Sequence, residues 1–588
     1  MSPNKMNVQE IRAEVLVIGS EAAGAKAAIE AQEEGADVLI VTKGLMGRTS
    51  NTVMAGAGVQ CPISDPRDSP DVHFEDTIRC GEYLNNQKLV ERLINLSVTE
   101  VPKMGKWGAK FQERRPPPDS PYRVGLPRNE LYGGLPGSTY QRGMAAKGFH
   151  GGLQWRAAFK KQVKRLKTKI MEDVFVTSLL LTDGQVSGAF AISLRTGQFL
   201  VFRAKVTILA TGGCCQIYRM TDSSIDATGD GITMALNAGA ELMGMEFQQF
   251  FPAACYNPEF FMSQITGGLR YGLHPIFYNS RGEAFMEKYL PVAKDWGLRD
   301  ETSRAIYMEN LQGRGSTHGG AYMSLKHLPA NIIDNTLRHA PYRHKLERAG
   351  IDIHKDALEC GPASHYTIGG IKVNENCETN LPRLYAVGEV ATGCDGAERT
   401  DGGSAICWCF TMGYVGGKEA AKKIKELDWV DIDPEQVNQE QDRLNSLRDR
   451  KDGIRGFEVK NKTKDIMWKY CALIRDKKSL EEALGLIQRV QSDDLPRLAC
   501  PGTSRVFSKG WVEALEATTL ADLSEIVIRS ALMREESRGA HYRSDFPNKD
   551  NTKWLKNIVV KRDRGKLVFT TTAPVMTRMR PTEEEVKE

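Results

Sequence analysis

A strand, a glycine turn, a helix and a second strand follow one another at the start of the chain. Residues 14 to 18, Glu-Val-Leu-Val-Ile, form a short apolar run, and the turn Gly19-Ser-Glu-Ala-Ala-Gly24 follows it. An alanine-rich stretch continues to about Glu34, and a second apolar run extends from Ala36 to Val41. This order within about 30 residues is typical of a dinucleotide-binding unit on a doubly wound sheet. The sequence therefore predicts an α/β fold.

The chain has 588 residues, more than one hydrophobic core usually fills, so we expect several domains. Further apolar strands are predicted at 206–213 and 384–390, and helix formers at helical spacing dominate after 436. The proline-rich stretch 114–122 predicts an irregular loop. The predicted domains are a dinucleotide-binding domain in two parts (1–250 and 361–435), an inserted lobe (251–360), a helical domain (436–545) and a polar C-terminal tail (546–588) with a strand at 566–571.

Charge and hydropathy exclude several classes of function. The 79 lysines and arginines nearly balance the 74 aspartates and glutamates and form no long basic block, which argues against a nucleic-acid partner. The N-terminus has no secretory pattern, and no stretch reaches roughly 18 apolar residues. We therefore expect a cytoplasmic protein that contacts a membrane only through partner subunits.

The cysteine pattern predicts no metal site in this chain. The twelve cysteines include only two close groups, Cys214-Cys215 and Cys407-Trp408-Cys409. Neither has the repeated C-x-x-C spacing of a structural zinc site or an iron–sulfur cluster. Iron–sulfur centres, if the protein uses them, are expected in another subunit.

The glycine turn departs from the usual G-x-G-x-x-G fingerprint at one position. Its second glycine, which lets the backbone approach a diphosphate, is replaced by Glu21. A carboxylate beside a diphosphate is unfavourable unless it points away. Taken alone, the turn is also compatible with an ordinary strand-turn-helix unit that binds no nucleotide.

Glycines at other predicted strand ends favour a long dinucleotide. Thr42 ends the second strand, where a polar side chain commonly contacts a ribose, and Ala210-Thr-Gly-Gly213 ends another. Thr228-Gly-Asp-Gly231 follows, and Gly388-Glu389 ends a third. Close backbone approaches at three strand ends suit FAD better than a nicotinamide nucleotide.

Several motifs together resemble one enzyme family. They are Arg48-Thr-Ser-Asn-Thr-Val53, the ATGG and TGDG segments, Met245-Glu-Phe-Gln-Gln-Phe-Phe-Pro252, His365-Tyr-Thr-Ile-Gly-Gly370 and Glu536-Ser-Arg-Gly-Ala-His-Tyr-Arg543. In this order and spacing the chain resembles the flavoprotein subunits of succinate dehydrogenase and fumarate reductase, a family that includes L-aspartate oxidase. The resemblance implies a Rossmann-like FAD-binding domain, a capping domain at 251–360 and a C-terminal helical domain.

The resemblance also implies the chemistry. Hydride moves between FAD and one carbon of an activated C=C or C–C bond of an organic acid or acyl derivative, while an arginine moves a proton at the other carbon. An iron–sulfur protein subunit exchanges electrons with the flavin. The capping domain would close over the substrate and exclude water.

Residue by residue, the resemblance implies a catalytic set and a cofactor set. Arg299 matches the proton-transferring arginine, Arg399 and His365 match the groups that bind a substrate carboxylate, and Arg270 is retained from a neighbouring motif. Alternatively, Arg299 pairs with Asp300 or Glu301 at the surface, and His365 is only a packed histidine. The predicted FAD-binding residues are Gly19, Glu21, Ala22, Ala23, Gly24, Thr42, Lys43, Ser50, Asn51, Thr52, Gly56, Gly58, Ala210, Thr211, Gly212, Asp230, Gly388, Glu389, Ser404, Ala405 and Ile406.

One departure from the family concerns how the flavin is held. Covalent members carry it on the histidine of an S-H-T sequence, whereas this chain has Ser50-Asn51-Thr52. An amide cannot form that bond, so the sequence predicts noncovalent FAD.

A second departure concerns the substrate. The family's H-P-T motif, whose histidine and threonine bind a substrate carboxylate, is Phe251-Pro252-Ala253 here. A buried carboxylate without these partners would cost a few kcal/mol. The sequence therefore favours an α,β-unsaturated monocarboxylate, ketone or acyl thioester over fumarate.

A third departure removes a proton relay group. The family's T-E-G-x-R motif becomes Thr266-Gly267-Gly268-Leu-Arg270, which lacks the glutamate that passes protons to the catalytic arginine. The relay is either broken or rebuilt, and His274 or Tyr271 are candidates for a replacement.

Two other functions remain open from the sequence. The chain could be a flavin subunit that only transfers electrons in a larger redox complex, or a stand-alone oxidase like L-aspartate oxidase. Retention of Arg299, His365 and Arg270 favours catalysis, and the loss of the H-P-T motif and the glutamate argues against the stand-alone oxidase.

Overall fold

The structure is a computed structural model that describes residues 8–56, 58–63, 65–111, 135–145, 151–258, 265–337, 343–450, 452–500, 502 and 504–584. The predicted loop at 114–122 lies outside these residues. The strands are β1 Gln9–Ile18, β2 Val38–Val41, β3 Gly58–Gln60, β4 Gly143–Ala145, β5 Lys169–Met171, β6 Val174–Thr182, β7 Gln185–Ser193, β8 Phe199–Leu209, β9 Leu242–Met243, β10 Gln248–Asn257, β11 Ile276–Tyr278, β12 Ala321–Ser324, β13 Leu358–Thr367, β14 Gly370–Lys372, β15 Leu384–Ala386, β16 Ala391–Thr392, β17 Asn557–Asp563 and β18 Lys566–Thr572.

The α-helices are α1 Ala22–Glu33, α2 Asn51–Met54, α3 Pro70–Cys80, α4 Gln87–Lys106, α5 Gly151–Leu166, α6 Asp230–Asn237, α7 Ile265–Leu273, α8 Met286–Tyr289, α9 Arg299–Leu311, α10 Ala330–Leu337, α11 Arg343–Arg348, α12 Ser404–Lys423, α13 Pro434–Asp449, α14 Gly456–Tyr470, α15 Lys477–Arg489, α16 Lys509–Met533 and α17 Asn551–Trp554.

The largest sheet has the predicted dinucleotide-binding order. Strand β1 lies between β2 and β8 and is parallel to both, with Val15 opposite Val38 and Val206. Strand β15 is also parallel to β8. Both faces of β1 are buried at its C-terminal half, which explains its continuous apolar run. The α/β prediction is confirmed, although β8 starts at Phe199 and β15 ends at Ala386.

The inserted lobe is built around a second sheet with its own hydrophobic core. Strands β10, β13, β12 and β11 lie side by side in that order and are antiparallel. Helices α7 and α9 contribute Leu269, Ala305 and Ile306 to a core that also contains Phe251 and Ala253. The lobe can therefore keep its internal packing if it moves relative to the large sheet.

The C-terminal part differs from the predicted polar tail. Besides β18, which overlaps the predicted strand, residues 557–563 form β17, and the two strands pair as an antiparallel hairpin. Strand β17 also pairs with β9, so the hairpin belongs to a five-stranded sheet. The preceding region contains the predicted helices, α13 to α16. The domain boundaries themselves stay predictions.

No helix within the described ranges is both long and apolar enough to cross a membrane. Among the same residues, no group of three or more histidine, cysteine, aspartate or glutamate side chains is arranged to hold a metal ion.

Candidate active site

A cavity of about 440 Å³ lies where the large sheet meets the inserted lobe. One wall follows the carboxyl ends of β1, β2 and β8, and the opposite wall includes Phe251, Tyr271, Arg299 and His365. Ligands of doubly wound sheets bind at this edge of the sheet. The cavity thus joins the predicted cofactor site to the predicted substrate site.

The glycine turn after β1 has the geometry of a dinucleotide cradle. Gly19 has a φ of +111°, and a Cβ there would lie 2.2 Å from the Ala210 carbonyl oxygen at the end of β8. A Cβ on Gly24 would lie 2.0 Å from the Gly19 carbonyl oxygen. Only glycine fits at both positions, and helix α1 starts within the turn. The turn therefore fits the diphosphate of FAD.

The Glu21 carboxylate contacts the loop that follows β2. Its Oε1 accepts a hydrogen bond of 2.6 Å from the Gly47 backbone N–H, and burial raises the pKa of its carboxyl. Although Glu21 lines the cavity, its carboxylate is bound to the loop that follows β2. The hydrogen bond to Gly47 and the raised pKa both lessen the conflict between the Glu21 charge and a diphosphate.

Polar side chains line the end of the cavity at β2. The Ser20 hydroxyl donates to the Thr42 hydroxyl at 3.1 Å, and Lys43 pairs with Asp230 at 2.9 Å and with Glu516 at 2.6 Å. Burial lowers the pKa of Lys43, but the two carboxylates more than offset this and raise it. Lys43 therefore remains cationic.

Asn51 is held in place by two hydrogen bonds. Its Nδ2 donates to Glu389 at 3.1 Å, and its Oδ1 accepts from the Ser224 N–H at 2.8 Å. Ser50 caps helix α2 through the Val53 N–H. The side chain at the flavin-linking position of the family is thus a fixed amide.

Two arginines converge at the opposite end of the cavity. Arg299 Nη1 and Arg399 Nε each donate to Gln249 Oε1 at 2.9 Å, and Arg399 Nη1 also donates to the Ser404 hydroxyl. Gln249 Nε2 donates to Glu398, which fixes the amide so that its oxygen faces the arginines. Two guanidinium groups this close make a strong site for a carboxylate or a polarised carbonyl.

Arg299 also contacts a tyrosine and a carboxylate. Its Nε donates to the Tyr271 hydroxyl at 2.8 Å and lies 2.6 Å from Asp401 Oδ1. The Tyr271 hydroxyl donates to Asp401 Oδ2 at 3.0 Å. Burial lowers the pKa of Arg299, but Asp401 and Tyr271 outweigh it, so the pKa is raised. Arg299 is therefore a buried cation and not a surface ion pair.

His365 faces the cavity from strand β13. Its Nδ1 lies 2.8 Å from Asp222 Oδ2, and because a carboxylate only accepts hydrogen bonds, Nδ1 carries a proton. Burial lowers the pKa of His365, and Asp222 opposes this. The ring centroid of Phe251 lies 5.4 Å from that of His365. His365 is thus oriented by Asp222 beside an apolar wall.

Four predicted site residues do not line the cavity. Arg270 is fully buried and donates to the Gly297 carbonyl at 2.7 Å and to Thr302, so it supports the inserted lobe. Gly24, Gly388 and Ser404 are also not among the residues that line the cavity. The other predicted residues line it: Gly19, Glu21, Ala22, Ala23, Thr42, Lys43, Ser50, Asn51, Thr52, Gly56, Gly58, Ala210, Thr211, Gly212, Asp230, Glu389, Ala405, Ile406, Arg299, His365 and Arg399.

Sequence reasoning missed Asp222, Gln249 and Asp401, which reach the site from distant parts of the chain. Of the two candidates for a replacement relay, Tyr271 lines the cavity, whereas the His274 ring packs 3.9 Å from the Trp296 ring outside it. The only indication of Asp401 in the sequence is its position two residues after Arg399.

Family models match both halves of the chain. The model of the FAD binding domain matches residues 14–405, and that of the fumarate reductase flavoprotein C-terminus matches residues 460–586. The chain belongs to the fumarate reductase and succinate dehydrogenase flavoprotein family. The predicted resemblance to this family, the FAD cofactor and the assignment as an FAD-dependent oxidoreductase are therefore confirmed.

Individual members of this family match over nearly their full length. One subunit of the fumarate reductase (CoM/CoB) of Methanothermobacter marburgensis is 35% identical over 93% of this chain and 97% of its own. The fumarate reductase flavoprotein subunit of Escherichia coli is 28% identical over 95% of this chain and 92% of its own. The Mycobacterium smegmatis Sdh1 structure superposes with a TM-score of 0.84 at 31% identity and covers 98% of this chain and 96% of that one.

The flavoprotein of E. coli quinol fumarate reductase gives a TM-score of 0.88 at 26% identity, covering 98% of this chain and 99% of that one. The fold of the family thus extends through the inserted lobe and the helical region, as predicted.

Proposed function

We propose that this flavoprotein reduces or forms a C=C bond conjugated to a single carboxylate or carbonyl group, and that fumarate is a poor substrate. The observation that carries the proposal is the pair of arginines on Gln249 together with the apolar ring of Phe251, which lies beside Arg299 on the same wall. The arginines attract one polar activating group, and neither Phe251 nor Ala253 offers a second carboxylate the hydrogen bonds of the histidine and threonine that they replace.

Each side chain of the cavity has a separate task in this proposal. FAD, when bound, supplies or accepts the hydride. Arg399 and His365 bind and orient the carboxylate or carbonyl group. Arg299 delivers a proton to the carbon of the double bond that does not receive the hydride. The arginines are less than a tenth exposed, which strengthens their interaction with charge that develops in the substrate.

The walls around Phe251 support a substrate with one uncharged end. The Phe251 ring lies 5.4 Å from the Arg299 guanidinium, and Ala253 is buried in the core of the inserted lobe. A carboxylate against this ring would lose hydration without gaining a hydrogen bond, at a cost of about 1–3 kcal/mol.

A panel of oxidised substrates tests the proposal. With a reduced viologen dye as electron donor, we expect kcat/KM for a 2-enoic monocarboxylate, an enone or an enoyl thioester to exceed that for fumarate by about tenfold or more. Fumarate is the second candidate, because the relative at 35% identity is named a fumarate reductase. Fast fumarate reduction with a micromolar KM would refute the first proposal in favour of the second.

An iron–sulfur subunit is the proposed electron partner. Three of the similar proteins are named as subunits of fumarate reductases or succinate dehydrogenases, which supports a place in a larger enzyme. Affinity purification from the native host should bring down a protein with iron and acid-labile sulfide. An isolated chain that turns over with dioxygen would instead indicate a stand-alone oxidase. Cytoplasmic location also stays a prediction.

The flavin is expected to be released by acid. Asn51 has no nucleophilic atom, and both ends of its amide are already bonded to Glu389 and Ser224. After trichloroacetic acid precipitation of the holoprotein, the supernatant should contain the flavin absorbance and the pellet should be colourless. A yellow pellet that keeps its flavin through denaturing electrophoresis would contradict noncovalent binding.

A further inference from the structure

Asp401 connects the inserted lobe to the FAD-binding domain at the proposed proton donor. Given the proposed role of Arg299, we propose that Asp401 is a positioning residue that completes the proton-transfer group only when the lobe is closed. Proton delivery is thereby coupled to lobe closure.

The backbone of Asp401 belongs to the FAD-binding side of the interface. Its N–H donates to the Pro136 carbonyl at 3.0 Å, and its carbonyl accepts from Gln60 Nε2 at 2.7 Å. Gln60 is the last residue of β3, and Asp401 lies in the segment between β16 and α12. The backbone position of Asp401 is therefore set independently of the inserted lobe.

The partners of the Asp401 carboxylate come from the inserted lobe. They are Arg299 Nε at 2.6 Å, Arg270 Nη1 at 3.5 Å and the Tyr271 hydroxyl at 3.0 Å. Within the described part of the chain, Asp401 is the only carboxylate in ion-pair contact with either guanidinium. The lobe's two buried cations thus share one anion, which the other domain supplies.

Burial makes this contact sensitive to lobe position. The side chains of Asp401 and Arg270 are fully buried and that of Arg299 is 8% exposed, so closure removes these charges from water and pairs them with each other. Separating a buried carboxylate from its cations without rehydration is strongly unfavourable. On opening, both sides regain water, and Arg299 loses the carboxylate that favours its cationic form.

The proposed proton sequence conserves protons and needs no further reactant besides water. Arg299 gives a proton to the substrate carbon and becomes a neutral guanidine. The Tyr271 hydroxyl accepts from Arg299 Nε and donates to Asp401 Oδ2, so once Arg299 is neutral the hydroxyl can rotate and give its proton to the guanidine. When the lobe opens and water returns to the cavity that Tyr271 lines, the tyrosyl oxygen takes a proton from water, which leaves hydroxide, and Asp401 has only held Tyr271 and Arg299 in line. The net transfer is one proton from water to product.

The chain departs from the family in a way that fits an acid on one domain and its cations on the other. The relay glutamate of the family's T-E-G motif lies within the inserted segment, at the position of Gly267 here. The acid of this chain lies instead across the interface, two residues after Arg399. Arg270, which does not reach the cavity, keeps a role because it contacts the relocated carboxylate.

Asp401→Asn in the FAD-loaded protein tests the proposal. The amide keeps the size of the side chain and removes its charge, so we expect kcat to fall by roughly 10²-fold with KM within threefold. The solvent deuterium isotope effect on kcat should rise, and Asp401→Glu should recover part of the rate. Asp395→Asn is the matched control: this buried acid of the same segment accepts from Trp408 at 2.7 Å, and its loss should leave kcat within threefold.

Hydrogen exchange separates this inference from the proposed function. With FAD bound, amide exchange in α7 and the first turns of α9 should be faster in Asp401→Asn than in the wild type and in Asp395→Asn. Unchanged exchange, or unchanged kcat and isotope effect, would overturn the role of Asp401. Absence of wild-type turnover with every substrate of the panel would instead refute the proposed function and leave the exchange result interpretable.

Discussion

Arg299→Ala lowers kcat by about 10³-fold while the protein keeps its full complement of FAD, if Arg299 supplies the proton. The side chain is a buried cation that reaches the cavity, and no other described cation has both a place in that wall and a contact with Tyr271 and Asp401. Hydride transfer without a proton donor would leave an unprotonated carbon, which explains the large effect. Steady-state dye oxidation and the flavin absorbance of the same sample measure the two quantities.

Arg304→Ala is the matched control for this variant. Arg304 lies on the same helix, α9, but pairs with Asp300 at 3.2 Å and stacks on Tyr542 away from the cavity. We expect kcat within threefold of the wild type for this variant. If Arg299→Ala keeps full activity in the intact complex, the chain acts as an electron-transferring subunit and the catalytic proposal fails.

Local patterns explain why the first part of the fold could be predicted from sequence. The run from Val15 to Ile18 is continuously apolar because this half of β1 is covered on both faces, and the glycines mark contacts that a Cβ would block. The apolar run and the glycine positions can both be recognised from residues that are neighbours in the sequence. The same reasoning found one strand of the C-terminal hairpin but missed the pairing of that hairpin with β9, which has only two residues and no pattern of its own.

The chemistry of the site depends on contacts that no local pattern encodes. Gln249 receives hydrogen bonds from Arg299 and Arg399, which are 50 and 150 residues away in sequence. Asp401 meets Tyr271 across 130 residues. Family motifs placed Arg299, His365 and Arg399 at the cavity, yet they also placed Arg270 there, where the structure buries it. A motif carries the residue type, whereas the fold decides which atoms face the substrate.

Phe251→His should shift the enzyme toward fumarate. Phe251 lines the cavity between His365 and Arg299, so an imidazole there can donate a hydrogen bond to a second carboxylate that now meets only an aromatic ring. A hydrogen bond to a charged group contributes about 1.5–3 kcal/mol, which corresponds to roughly 10- to 100-fold in kcat/KM for fumarate. The variant does not also restore the threonine of the family's H-P-T motif, because Ala253, which stands at that position, is buried in the core of the inserted lobe.

The opposite change is expected for the preferred monocarboxylate. Its apolar end loses contact with the ring and leaves the new imidazole without a partner, so its kcat/KM should fall by about tenfold. Phe251→Leu separates the two effects, because it removes the ring without adding a donor and should not improve fumarate. Measured under identical dye-linked conditions, a parallel fall for both substrates in Phe251→His would show that residue 251 supports packing alone, since a wall that selects the substrate must change the two rates in opposite directions.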